Sequence, residues 1–191
     1  MRTLAKWDIA FPAANIGFPL GVAVDGEGNV IVADLARQHI RKIAANGTVT
    51  TFAGTVLGYE DGPGTSARFN CPSDVAVDCE GNVIVADSKN HRIRKIAADG
   101  TVTTLAGTGV TGYADGPGTA AQFAAPRGVA VDCEAIVIVA DSLNHRIRKI
   151  AADGTVTTLA GTAIADTGTR QARRRCSTNL TPLRWTTRAS S

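Results

Sequence analysis

The sequence predicts an all-β protein assembled from three copies of one four-stranded antiparallel unit. Three observations predict it. A 36-residue pattern recurs almost unchanged, its copies are rich in valine, isoleucine and threonine, and no segment carries the 3.6-residue period of an amphipathic helix. Pro72–Gly107 and Pro126–Gly161 agree at 31 of 36 positions, and Pro19–Gly54 agrees with the former at 26. From Asp34 to Asp87 is 53 residues and from Asp87 to Asp141 is 54, so the period is nearly constant. The segments between copies repeat too: GYEDGPGTSARF at 58–69 and GYADGPGTAAQF at 112–123.

The elements follow in order within a copy. In the second, strands are expected at Val75–Asp78, Val83–Asp87, Arg92–Ala97 and Val102–Ala106. They are punctuated by Glu80-Gly81-Asn82, Ser88-Lys89-Asn90 and Asp99-Gly100, all turn-forming chemistry. The second strand, VIVAD, is apolar on both faces, as expected of a strand sandwiched between two sheets. The third, RIRKIA, alternates badly, which predicts a bulge or snorkelling Arg and Lys stems. In the third copy Ala135-Ile136 replaces Gly81-Asn82, at a cost of about 1 kcal/mol if φ is positive there.

Four antiparallel strands per unit, with sheets covered on both sides, describe the blades of a β-propeller. A parallel solenoid would need about one strand per turn and a shorter period. The run VAVDxxGNVIVADSxNHRIRKIxxDGTVTTLAG, followed by GYxDGPGTxAxF, resembles the NHL repeat, named for its Asn-His-Leu triplet. Here the triplet reads Asn90-His91-Arg92 and Asn144-His145-Arg146, while the first copy has Arg37-Gln38-His39 in its place. The signatures of WD and kelch repeats are absent. The resulting organisation is a lead-in at 1–18, three NHL-type blades over 19–161 (19–54, 72–107 and 126–161, joined by 55–71 and 108–125), and a non-repeating basic tail at 162–191, expected to be disordered.

The resemblance implies six-bladed rings, and closed propellers need about four to eight blades. Three blades make a partial propeller that this chain alone does not close. Each terminal blade is therefore expected to expose an apolar face. Leaving roughly 500 Å² uncovered forgoes on the order of 10 kcal/mol, so self-association, an external cap or membership of a longer propeller is expected. After Gly161 the repeat gives way abruptly to TAIADTGTRQARRRCSTNLTPLRWTTRASS. That break reads as a change of reading frame or exon, and hence as a truncated fragment of a longer propeller protein.

Charge separates the same two regions. Residues 1–165 carry 14 Lys+Arg and 16 Asp+Glu, whereas 166–191 carry six Arg and one Asp. The body thus has no excess that argues for nucleic acid. No apolar run is long enough to span a bilayer, and Lys6 and Asp8 interrupt any secretory core, so no membrane association is expected and the cytoplasm is the default compartment. The four cysteines lack paired short spacing and do not read as a disulfide framework. Cys79 and Cys133 share a repeat position and, like Cys71 and Cys176, are expected as small, partly buried thiols.

Strand alternation sorts the loops to two ends of each blade. The SKNHR turn and the long connection share one end, the richer in side chains for recognition. That candidate binding face comprises Tyr59, Lys89, Asn90, His91, Arg92, Tyr113, Asn144, His145 and Arg146. Asp34, Asp87 and Asp141 are expected to accept backbone N–H groups in the following turn instead of serving as acids or metal ligands. His91 and His145 read as turn residues, because no tight metal-ligand spacing accompanies them. DGEGN at 25–29 is a hairpin turn, not a calcium loop. The Asp-Gly-Pro-Gly segments are rigid connections anchored by Phe69 and Phe123, not phosphate cradles. No catalytic residue, cofactor or metal site is expected.

The functional expectation is a non-catalytic interaction or scaffold module binding a protein through the loop face. Two alternatives stand beside it. One is RNA binding through a stripe formed by Arg92, Arg94, Lys95, Arg146, Arg148 and Lys149. The other is a remnant of a metal-dependent propeller lyase or hydrolase, whose site would need inward His or acidic residues from several blades.

Overall fold

A computed structural model describes residues 16–162. The tail from 163 onward, and with it the Arg173-Arg174-Arg175 run and Cys176, lies outside the described residues, as does most of the lead-in. The described chain is three successive antiparallel sheets, with no α-helix among them.

The first blade contains β1 (Pro19–Val24), β2 (Val30–Asp34), β3 (His39–Ile43) and β4 (Val49–Ala53), hydrogen-bonded in chain order. The second contains β5 (Gly62–Pro63), β6 (Pro72–Val77), β7 (Val83–Asp87), β8 (Arg92–Ile96) and β9 (Thr101–Ala106), ordered β5-β9-β8-β7-β6. The third repeats this with β10 (Gly116–Pro117), β11 (Pro126–Val131), β12 (Val137–Asp141), β13 (Arg146–Ile150) and β14 (Thr155–Ala160). The first strands β1, β6 and β11 neighbour one another along the inner edge of the arc.

One element was not visible in the strand pattern. The Gly-Pro of each connection is a two-residue strand: β5 pairs with β9 (Gly62↔Val102) and β10 with β14 (Gly116↔Val156). The connection leaving one blade therefore runs down the outer edge of the next before returning to its first strand. Proline at this edge costs no ladder bond, because its nitrogen has no partner to serve.

The double-sided VIVAD strand behaves as expected. Ile31, Ala33, Ile40 and Ala53 of the first blade meet Val75, Val83, Val85, Ile96 and Val102 of the second, with Ala67 and Phe69 of the connection between them. Ile84, Ala86, Ile93 and Ala106, on the opposite side of the second blade, meet Val137, Val139, Ile150 and Val156 of the third around Phe123. Each blade thus has a leading face, toward the following blade, and a trailing face, toward the preceding one. The expected irregularity in the third strand is a register shift against the fourth, between Ile93 and Arg94 and at the equivalent steps in both other blades.

Two sequence expectations need correction or completion. Cys79 and Cys133 are not free thiols. They form a disulfide with Cα atoms 5.2 Å apart, joining the first hairpin turns of the second and third blades. A separation of 54 residues concealed the pair, since stacking of successive blades is what brings equivalent positions together. Gly26 stands at this position in the first blade, so the other seam has no such bond. Ala135 does carry a positive φ, +60°, where Gly81 has +82°.

Candidate functional site

Asp87 ends β7 with its side chain fully buried. Its carboxylate accepts the Asn70 N–H (2.8 Å), Asn90 Nδ2 (2.8 Å) and Arg94 Nη1 (2.9 Å). Burial pushes this carboxyl up to about 6, against the lowering effect of Asn90, the Asn70 N–H and Arg94. The sequence expectation of a backbone acceptor holds, but the donor differs. It lies 17 residues upstream, where the connection enters the blade, not in the following turn.

Arg94, also fully buried, spends its other donors on that same connection. Nε reaches Asp61 Oδ1 (3.1 Å), Nη1 the Arg68 carbonyl (3.1 Å) and Nη2 the Glu60 carbonyl (2.8 Å). Its guanidinium also lies beside the rings of Tyr59 and Phe69, 4.9 and 5.1 Å from their centres. The third blade repeats the cluster. Asp141 accepts the Ala124 N–H, Asn144 Nδ2 and Arg148 Nη1, while Arg148 Nε reaches Asp115 at 3.1 Å. In the first blade Asp34 accepts the N–H groups of Gly17 and Phe18, and Arg41 has only Thr51 among the described residues.

This network absorbs most of the candidate binding face. Asn90 is buried, and its Nδ2 also donates to the Gly58 carbonyl (2.7 Å); Asn144 does the same to Gly112. Arg92 stacks on Tyr59 at 3.7 Å and Arg146 on Tyr113 at 3.8 Å, with Arg92 Nη2 donating to the Thr108 carbonyl. Tyr59, Asn90 and Arg92, and likewise Tyr113, Asn144 and Arg146, therefore brace the incoming connection. The RNA-binding stripe does not exist as drawn. Arg94 and Arg148 are inside the protein, and Arg92 and Arg146 are engaged with rings and carbonyls. Lys89 and His145 are exposed.

His91 closes the short 3-10 turn of the second blade at φ +52°, and its Nδ1 accepts the Ala125 N–H (3.0 Å). Burial and the neighbouring Arg92 charge lower its pKa, opposed by Asp141, which keeps the ring a neutral acceptor. Gln38 does the same work in the first blade, where Oε1 accepts the Cys71 N–H at 2.6 Å.

What the framework leaves free lies nearer the axis. A cavity of about 620 Å³ opens at this end of the arc, where all three blades contribute. Leu20, Leu35 and Leu143 give it apolar walls, Lys89 and Arg127 give it basic ones, and the neutral His91 ring lies between them in the lining. Beneath it the Ser73 hydroxyl meets Ser88 Oγ (2.8 Å) and the Arg127 carbonyl (2.9 Å), tying the second blade to the third. Two of these wall positions diverge between copies: Leu20, Ser73 and Arg127 share one, and Lys89 and Leu143 share another, at which the first copy has Ala36. Sequence reading missed Leu20, Leu35 and Arg127. The available signal was this divergence within an otherwise near-identical repeat. At the opposite end, Lys42 bridges to Asp25 (3.2 Å) and Glu27 (3.8 Å) in a hairpin-turn hollow. There partial burial raises the Asp25 carboxyl, but Asn29, Lys42 and the Glu27 N–H outweigh it and hold it at about 2. Among the described residues, no three His, Cys, Asp or Glu side chains converge to hold a metal ion.

The NHL repeat family model matches residues 69–96 and 123–150, each running from the buried phenylalanine of a connection to the end of the third strand. The chain carries NHL repeats. Among NHL relatives, chicken (Gallus gallus) NHL repeat-containing protein 2 is 39% identical over 107 residues, covering 54% of this chain and 14% of that protein. A probable peptidyl-alpha-hydroxyglycine alpha-amidating lyase of Caenorhabditis elegans is 30% identical over 141 residues, 72% of this chain and 38% of that one. A solved Bacteroides thetaiotaomicron structure of unknown function superposes with a TM-score of 0.60 at 30% identity, over 64% of this chain and 32% of its own. The chain thus spans well under half the length of each. No helix among the described residues is long and apolar enough to cross a membrane.

Proposed function

We propose that this NHL unit is a non-catalytic recognition module that binds a partner protein in the axial recess. One observation carries the reading. Most of the repeated polar residues are consumed by the framework, whereas two wall positions of the recess, that of Leu20, Ser73 and Arg127 and that of Lys89 and Leu143, differ from blade to blade. Three leucines beside Lys89 and Arg127 suit an extended segment carrying both apolar and acidic side chains. The Cys79–Cys133 bond supports an oxidising compartment over the cytoplasmic default.

The test is partner co-purification with the full chain and a paired charge reversal, Lys89→Glu with Arg127→Glu. Loss of a partner that Lys95→Glu retains is the expected result; equal retention by both overturns the reading. The similarity to an amidating lyase favours a second, enzymatic reading. Elemental analysis finding near one zinc or calcium ion per chain would replace the first with the second. A salt-dependent shift of single-stranded RNA would instead restore a nucleic-acid role.

A further inference from the structure

The two open faces of the arc are the two halves of an interface that the chain already makes. The trailing face of the first blade presents Val22, Val24, Val30, Ile43 and Val49. These match, residue for residue, Val75, Val77, Val83, Ile96 and Val102 on the trailing face of the second. The leading face of the third blade presents Ile138, Ala140, Ile147, Leu159 and Ala160, identical to Ile84, Ala86, Ile93, Leu105 and Ala106 on the leading face of the second. Only their surroundings differ. Val22 is 63% exposed where Val75 is 3%, and Ile147 is 40% exposed where Ile93 is 0%.

We propose that a second copy of this chain covers both faces, third blade against first blade in each direction, to give a closed six-bladed ring. The contact is heterologous, so it either closes or propagates. Blade number decides between these: propellers close with about four to eight blades, and two copies are the only multiple of three within that range. The seam would reproduce the aliphatic packing between the second and third blades. Ile16 stands at the position that Phe69 and Phe123 occupy in the internal seams.

Sedimentation of the full oxidised chain tests this, with circular dichroism confirming that each variant is folded. The expected mass is twice 19.7 kDa. Val22→Asp and Ile147→Asp, at surface positions on opposite faces, should each sediment at the single-chain mass. Mixing the two variants should restore the double mass, since one undamaged seam can form between them. A folded wild-type chain that stays single at high micromolar concentration overturns the proposal, as capping by its own terminal segments would. So does a dimer sensitive to one substitution only, which would signal a face pairing with itself. Open-ended growth overturns the closed ring.

Discussion

Asp61 and Arg94 pair at the outer edge of the second blade: a carboxylate carried in by the connection from the first blade accepts a hydrogen bond from Nε of a fully buried guanidinium, at 3.1 Å. Through this pair and its counterpart Asp115–Arg148, each connection is fastened to the sheet it enters. The same guanidinium is the partner of buried Asp87.

Removing the cation should therefore cost more than removing the incoming anion. Arg94→Met leaves Asp87 buried without its cation and should destabilise by about 3–5 kcal/mol. Asp61→Asn keeps a side-chain acceptor at a partly exposed site and should cost about 1 kcal/mol. Urea unfolding of the three proteins checks the order, which inverts if Asp61 is the essential partner.

The Cys79–Cys133 bond should contribute about 2–4 kcal/mol, given the long loop it closes. Peptides carrying the two cysteines should remain linked in a non-reducing digest. Cys79→Ser and a reductant should lower the unfolding midpoint equally and not additively.

Ala135→Gly should raise stability by about 1 kcal/mol, because Ala135 holds φ +60° in the turn where the second blade uses glycine. Thermal unfolding provides the comparison. No packing is lost at such a site, as a Cβ built on Gly81 meets nothing within 4 Å.

His91→Gln should be near neutral at pH 8 and more stable than wild type in mild acid. The imidazole pKa lies below its ordinary 6.5 in the folded chain, so its contribution is present above that value and is lost as pH falls through the folded one. Glutamine accepts the same kind of N–H at position 38 without titrating. Asp87, raised to about 6, works in the opposite sense: its contribution is full below 3.8 and lost as pH rises through 6. It cancels in the difference between the two proteins. A difference in stability that does not change with pH would remove His91 as the sensor.

The blades were legible because valine and isoleucine repeat at fixed places and Gly, Asp and Asn punctuate them. VIVAD, apolar on both faces, even announced that each sheet is covered twice. Residue roles were less legible, because alternation says which way a strand residue points but not what arrives from elsewhere. Arg94 and Arg148 look like surface cations in RIRK until Asp61 is placed on the one, Asp115 on the other and two carbonyls on each. Gly62-Pro63 has no strand propensity and becomes a strand only by lying against β9. The recess depends on two repeat positions at which the copies differ, and a reading that rewards sameness passes over them.

The disulfide crosses only one of the two internal boundaries. Both boundaries share the same aliphatic filling and the same phenylalanine wedge, yet Gly26 leaves the earlier one without a covalent rivet. Pulled from its ends, the oxidised protein should tear between the first and second blades, releasing the first while the other two come away as a single bolted pair.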